Sequence, residues 1–183
     1  MRISGGEFRG RPLFTHKGQD VRPTSDKARQ AFFNIIGDTI AGARFLDLFG
    51  GTGAMGLEAV SRGAALAVIV EKDHASLVIK NAGQLGLDDD PRLRVIRADS
   101  FAALDKFARE GDMFDVIYAD PPWKTDVWNR IAAMSAKILP ENGLLVMEAY
   151  YKTPAPEEPG LALTDERRYG DTVLYFYKSG FRG

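Results

Sequence analysis

Between residues 24 and 150 the chain alternates five times between two hydrophobic periods. Apolar residues recur at helical spacing over 24–40, 54–63, 73–86, 100–110 and 126–139. Each of these segments is followed by a short apolar run, at 43–49, 65–73, 93–100, 114–123 and 143–150. Runs that are apolar throughout are strands buried on both faces. Such strands, separated by helices, predict a parallel sheet with helices on both sides. In the first segment Ala28, Phe32, Ile35, Ile36 and Ile40 carry the spacing, and Thr24 or Ser25 suits the N-cap. Beyond residue 150 the pattern changes. Residues 151–160 read as a proline-rich surface loop, and 161–179 as two strands around Tyr169-Gly170-Asp171. The start, ISGGEFRGRPLF, suits a small hairpin turning at Gly5-Gly6 or Gly10. The expected architecture is a three-layer α/β/α sandwich. Its seven-stranded sheet is mostly parallel with an antiparallel C-terminal strand, over 22–183, behind an arm at 1–21.

Composition removes several chemistries. There is no cysteine, which excludes disulfides, thiolate metal sites and cysteine nucleophiles. With only two histidines, His16 and His74, a histidine metal cluster or a Ser-His-Asp triad lacks material, so no metal is expected. No apolar run reaches the roughly 18 residues of a membrane span, and the N-terminus lacks a signal-peptide core. A cytoplasmic, monomeric protein is expected. The formal net charge is −1, but its distribution is uneven. Within 1–30, Arg2, Arg9, Arg11, Lys17, Arg22, Lys27 and Arg29 oppose only Glu7, Asp20 and Asp26, which leaves the remainder at −5. A basic arm on an acidic body suits a phosphate-rich partner such as RNA, and equally an ordinary solvated terminus.

The first apolar run ends in GGTGAMG, with Gly51, Gly53 and Gly56 at G-x-G-x-x-G spacing and Glu71 20 positions after Gly51. That pattern suits dinucleotide binding, or a tight strand-to-helix turn without a ligand. Asp47 separates the cofactors. A carboxylate just before the loop repels a pyrophosphate. It suits S-adenosylmethionine, which carries a sulfonium and an ammonium and no phosphate. Glu71, at the second strand end, is placed for ribose hydroxyls, and Asp99, at the third, for an adenine amine. Ligands bind at the carboxyl ends of parallel strands.

The fourth strand ends in Asp120-Pro121-Pro122-Trp123. The prolines fix the backbone, and the stretch also suits a plain turn with Trp123 as a lid. Alongside three other strand-end acids it suits amine chemistry. Asp120 and a backbone carbonyl accept from a planar exocyclic NH₂, which frees its lone pair to attack a methyl group. Trp123 supplies a stacking face for an unstacked base.

DLFGGTG (47–53), VEKD (70–73), ADSF (98–101) and DPPW (120–123) resemble the ordered motifs of class I S-adenosylmethionine-dependent methyltransferases. MRISGGEFRGRPL, RPTSDKARQAFFNII (22–36) and ERRYGDT (166–172) are similar to the RsmD-like family, which methylates N2 of a guanine in 16S ribosomal RNA. The resemblance implies a Rossmann-like fold and residue roles. Asp47, Gly50, Gly51, Thr52 and Gly53 would line the methionine part of the cofactor. Glu71 and Lys72 would lie at its ribose and Asp99 and Ser100 at its adenine, with Thr24 closing over it. Asp120 to Trp123 would hold the guanine amine, with Asp120 beside the cofactor too. From the charge of the arm, Arg2, Arg9, Arg11, Lys17 and Arg22 are the candidates to grip RNA, while Arg167, Arg168 and Tyr169 near the final turn suit either substrate binding or the frame of a hairpin. Two positions depart from the family pattern: Gly50 stands where alanine is commoner, and Trp123 where Tyr or Phe is. The alternatives are an adenine-N6 methyltransferase, a protein glutamine methyltransferase, a nucleotide-binding oxidoreductase and a silent RNA-binding assembly module.

Overall fold

The computed structural model describes residues 1–15, 23–122 and 127–180, without the side chains of 23–25. The expected roles of Lys17, Arg22, Trp123 and the Thr24 side chain fall outside the described residues. The described residues form seven strands: β1 (Arg44–Leu48), β2 (Leu66–Val70), β3 (Leu93–Ile96), β4 (Val116–Ala119), β5 (Leu144–Tyr150), β6 (Leu161–Tyr169) and β7 (Thr172–Ser179). They make one sheet in the order β3-β2-β1-β4-β5-β7-β6. From β3 to β5 all pairs are parallel, and β7 runs antiparallel to both β5 and β6. The three-layer sandwich and its antiparallel last strand are as expected.

The helices are α1 (Pro23–Ile36), α2 (Ala54–Ser61), α3 (Ala75–Leu85), α4 (Ser100–Glu110) and α5 (Trp128–Ser135). Alternate residues of each strand face opposite layers. Phe45, Ala67, Ile69, Val116, Tyr118 and Val146 pack with α1 to α3. Leu46, Leu48, Val68, Ile117 and Leu145 pack with α4 and α5. Covering both faces is what puts apolar residues on both sides of the central strands, with the acids Asp47 on β1 and Glu148 on β5 as exceptions.

Three boundaries differ from the periodicity. The first helix begins at Pro23, so Thr24 and Ser25 lie in its first turn rather than at the cap. Proline suits that position because its missing N–H is one no helix can pair. The same helix ends at Ile36, because Gly37 takes φ 50° and the chain tightens into a 3₁₀ turn over Gly37–Ile40. The last helix stops at Ser135. Ile138 and Leu139 are buried as the pattern demands, but on a turn where Ile138 N–H donates to Ser135 O at 3.0 Å.

The N-terminal arm is a hairpin-like loop packed on the body. Ile3 N–H donates to Arg11 O (3.0 Å) and Leu13 N–H to Met1 O (3.0 Å), while Ile3 and Leu13 are buried in the α1–α3 core. The fully buried Glu58 of α2 ties the pieces together. It accepts from the Ser4 hydroxyl and pairs with Arg29 Nε at 3.0 Å and Arg62 Nη2 at 2.9 Å. Arg29 is therefore committed inside the fold and adds nothing to an RNA-facing charge. Gly6, at φ 75°, passes so close to α2 that a Cβ would lie 1.8 Å from Ser61 O. Gly6→Ala is expected to lower stability by about 2–3 kcal/mol. Thermal unfolding should read this as a melting temperature lower by roughly 5–10 °C. An unchanged melting temperature would mean that the arm is not anchored on α2.

Candidate active site

The sheet order reverses between β1 and β4, the position where ligands enter open α/β sheets. The glycine loop lies there. It opens with Phe49 at φ 63°, a left-handed conformation that a bulky residue adopts only where the surroundings enforce it. Gly51 follows at φ 56°, where a Cβ would lie at contact distance, 4.0 Å, from Phe49 O. α2 starts after Gly53, which has no side chain to cap it. Asp47 replaces the cap: its Oδ2 accepts from Gly56 N–H at 3.0 Å. Gly56 permits this because a Cβ there would meet Ile69 Cγ1 at 2.3 Å. Asp47 is almost wholly buried. Burial pushes its carboxyl up to about 7, against the Gly56 hydrogen bond, and the Glu71 charge adds to the rise.

Glu71 follows β2 and turns back to the loop. Its Oε2 accepts from Gly51 N–H (2.7 Å) and its Oε1 from Asp73 N–H (2.9 Å) and His74 N–H (3.0 Å). The expectation placed its oxygens on ribose; the bonds they make here go to backbone N–H groups and brace the loop. Asp99 serves as a helix cap. Its Oδ1 caps α4 by accepting from Phe101 N–H (3.0 Å) and Ala102 N–H (3.4 Å), while Oδ2 lies 3.6 Å from Lys72 Nζ. Ser100, the first residue of α4, is buried.

Asp120 is exposed directly after β4, Pro121 beside it is buried, and Pro122 is exposed. Beneath Asp120 lies a polar group that sequence reasoning missed. Tyr118 O–H donates to the Glu148 carboxylate, Thr172 O–H donates to Glu148 Oε1 at 3.5 Å, and Trp128 Nε1–H donates to Glu148 O at 3.4 Å. The Tyr118 hydroxyl is pushed well above its ordinary value, first by burial and then by the Glu148, Asp120 and Asp47 carboxylates. It therefore remains a neutral donor among three acids. The signal was the single acid in the apolar run LLVMEAY.

Asn81, fully buried on α3, was also missed. Its Nδ2 donates to Thr52 O (2.8 Å) and Phe14 O (3.1 Å), and its Oδ1 accepts from Phe14 N–H (2.7 Å). It joins the arm to the glycine loop, where Thr52 O–H also donates to Met1 Sδ at 3.7 Å. The sequence signal was one amide on the apolar face of an amphipathic helix.

The basic residues of the arm are only partly free for a partner. Arg2, Arg9 and Arg11 are exposed, yet Arg2 donates to Gly10 O (2.8 Å) and Arg11 to Gln84 O (2.6 Å). Among the described residues no His/Cys/Asp/Glu group could hold a metal, and no helix is long and apolar enough to cross a membrane. A cavity of about 580 Å³ lies at the opposite end of the sheet, beside Asp115, Gly143 and Lys178, away from these acids.

The family described as Conserved hypothetical protein 95 matches residues 1–178. YlbH of Bacillus subtilis, named as a candidate rRNA methyltransferase, is 33% identical over 97% of this chain and 98% of its own. The ribosomal RNA small subunit methyltransferase D of Escherichia coli K12 is 34% identical over 88% of this chain and 77% of its own. Among solved structures, the Escherichia coli protein yhhF, described as a candidate methyltransferase, superposes with a TM-score of 0.83. It is 30% identical and covers 98% of both chains. With its sheet order, glycine loop and strand-end acids, the chain belongs to the Conserved hypothetical protein 95 family, the RsmD family of methyltransferases.

Proposed function

We propose that this protein transfers a methyl group from S-adenosylmethionine to the N2 amine of a guanine in small-subunit ribosomal RNA. The observation that carries the reading is the convergence of Asp47, Glu71, Asp99 and Asp120 on the carboxyl ends of four adjacent strands around one glycine loop. The Escherichia coli relative's name supplies the RNA class. Two features fit the methyl donor. Gly51 keeps the loop uncrowded, with Phe49 O at 4.0 Å the nearest atom to its Cβ position. Asp47 is a buried carboxyl whose proton is easily displaced by a nearby cation. When bound, S-adenosylmethionine supplies a methyl group on a cationic sulfur.

The chain's own residues do the rest. Asp47, Gly50, Gly51, Thr52 and Gly53 hold the cationic end, and Thr24 covers it. Glu71 keeps the loop in shape through Gly51 N–H, and the one acceptor site that its three backbone bonds leave, on Oε2, accepts from ribose. Lys72 lies beside it, and Asp99 with Ser100 bounds the adenine end. Asp120 accepts from the guanine amine, raises the electron density on N2, and takes the departing proton. Pro121 and Pro122 fix the backbone that presents Asp120, and Trp123 stacks on the flipped base. The exposed arginines of the arm, with Lys17 and Arg22, attract the phosphates.

The test is methyl transfer with labelled S-adenosylmethionine onto unmodified small ribosomal subunits and onto their naked RNA, followed by digestion to nucleosides. Label in N2-methylguanosine is expected. Label in N6-methyladenosine would keep the site and overturn the substrate. No label in any RNA would overturn the reading.

A further inference from the structure

The hairpin of β6 and β7 brings a second set of side chains to the same end of the sheet. Ala119 pairs with Met147, so β5 continues beyond the level of Asp120 and ends in Tyr150, with Tyr151 and Lys152 following. The turn between β6 and β7 stands next to them, since Tyr150 pairs with Thr172 and Tyr151 N–H donates to Asp171 O at 2.9 Å. The Arg168 guanidinium lies 3.7 Å from the centre of the Tyr151 ring, and Lys152 Nζ 5.6 Å from it. The centres of the Tyr150 and Tyr151 rings are 4.7 Å apart, with their planes at 59°. Arg168 is exposed, and its Nε–H donates to Gly170 O at 2.9 Å.

This set is held rigidly. The proline-rich stretch after it is pinned to the sheet by Tyr175 O–H donating to Thr153 O (2.7 Å) and Tyr177 O–H donating to Pro156 O (2.9 Å). Arg167 is spent on Asp165 at 2.9 Å, and the remaining acids nearby are Asp171 on the turn and Glu166 two positions before Arg168. Two exposed cations over a half-buried aromatic pair, beside the transfer end of the sheet, match single-stranded RNA. Its bases stack on aromatic rings and on arginine planes, and its phosphates seek cations.

We propose that Tyr151 and Arg168, with Lys152 and Tyr150 beside them, form a stacking platform for an unpaired nucleotide neighbouring the acceptor base. The inference rests on the RNA methyltransferase reading and adds to it a substrate subsite away from the Asp-Pro-Pro motif. The variants Tyr151→Ala, Arg168→Ala and Tyr151→Phe test it. Three quantities are measured: affinity for naked small-subunit RNA across a salt series, KM for that RNA, and affinity for S-adenosylhomocysteine.

Tyr151→Ala and Arg168→Ala are each expected to weaken RNA binding about tenfold. Arg168→Ala should also reduce the salt slope by about one. Tyr151→Phe, which keeps the ring, should retain wild-type RNA affinity, and cofactor-product affinity should stay within about twofold in all three. Wild-type RNA affinity and salt slope in both alanine variants, with methyl transfer intact, would overturn the platform and leave the methyltransferase reading standing. Methyl transfer to a non-RNA acceptor would overturn that reading, while the binding series still decides the platform. A wild-type protein that binds neither naked small-subunit RNA nor assembled small subunits overturns both.

Discussion

Asp120→Ala is expected to lower kcat by about 10³-fold while S-adenosylhomocysteine affinity stays within about twofold. The asymmetry follows from position. Asp120 is exposed at the end of β4, one strand from the glycine loop, so its loss removes no core packing. What it removes is an acceptor for an amine that becomes positively charged as the methyl arrives. Interactions that strengthen only as charge develops act on kcat rather than on binding. Asp120→Asn keeps an acceptor oxygen but neither the charge nor the basicity, so its loss should approach that of alanine. Single-turnover methyl transfer is the measurement. Turnover at the wild-type rate in the alanine variant would remove Asp120 from the chemistry.

Asp47→Asn should act on stability and cofactor binding in opposite directions. The native carboxyl titrates at about 7, whereas the unfolded chain releases this proton near 4. Between those values the native state holds a proton that the unfolded state has lost. Stability therefore falls as pH rises through this window, by up to about 4 kcal/mol, and stays low above it. Asparagine keeps an oxygen for Gly56 N–H and cannot ionise. Its buried NH₂ costs about 1–3 kcal/mol where it finds no acceptor. The variant should thus be more stable than wild type at pH 8, by roughly 1–3 kcal/mol, and not at pH 5. Cofactor affinity should fall at least about tenfold at pH 8, because a cation loses its counter-charge. Denaturant midpoints at the two pH values test the first part. Identical pH dependence in variant and wild type would mean that the buried carboxyl does not titrate between them.

Much of the site was legible because its acids interrupt local patterns. Asp47, Glu71, Asp99 and Asp120 each stand at the end of an apolar run, and a charge in that place needs a reason that the strand itself does not supply. Their further partners were not legible. Asp99 caps α4 with one oxygen, and Glu71 bonds three backbone N–H groups with both of its own. Those are properties of how a loop closes, which no spacing expresses.

The alternation of helical and extended periods by itself determined a doubly covered sheet, since a strand apolar on both faces must be buried on both. The tyrosine, glycine and aspartate at 169–171 likewise determined the final hairpin. Only the tertiary structure decided that β7 inserts between β5 and β6, and that this places Arg168 over Tyr151 and Thr172 against Glu148. It also decided that Arg29 belongs to Glu58 rather than to a partner's phosphate. The reason is range. A side-chain period reports which way a residue faces within its own element, whereas strand order and the pairing of buried charges depend on residues dozens of positions apart, which meet only when the sheet has closed.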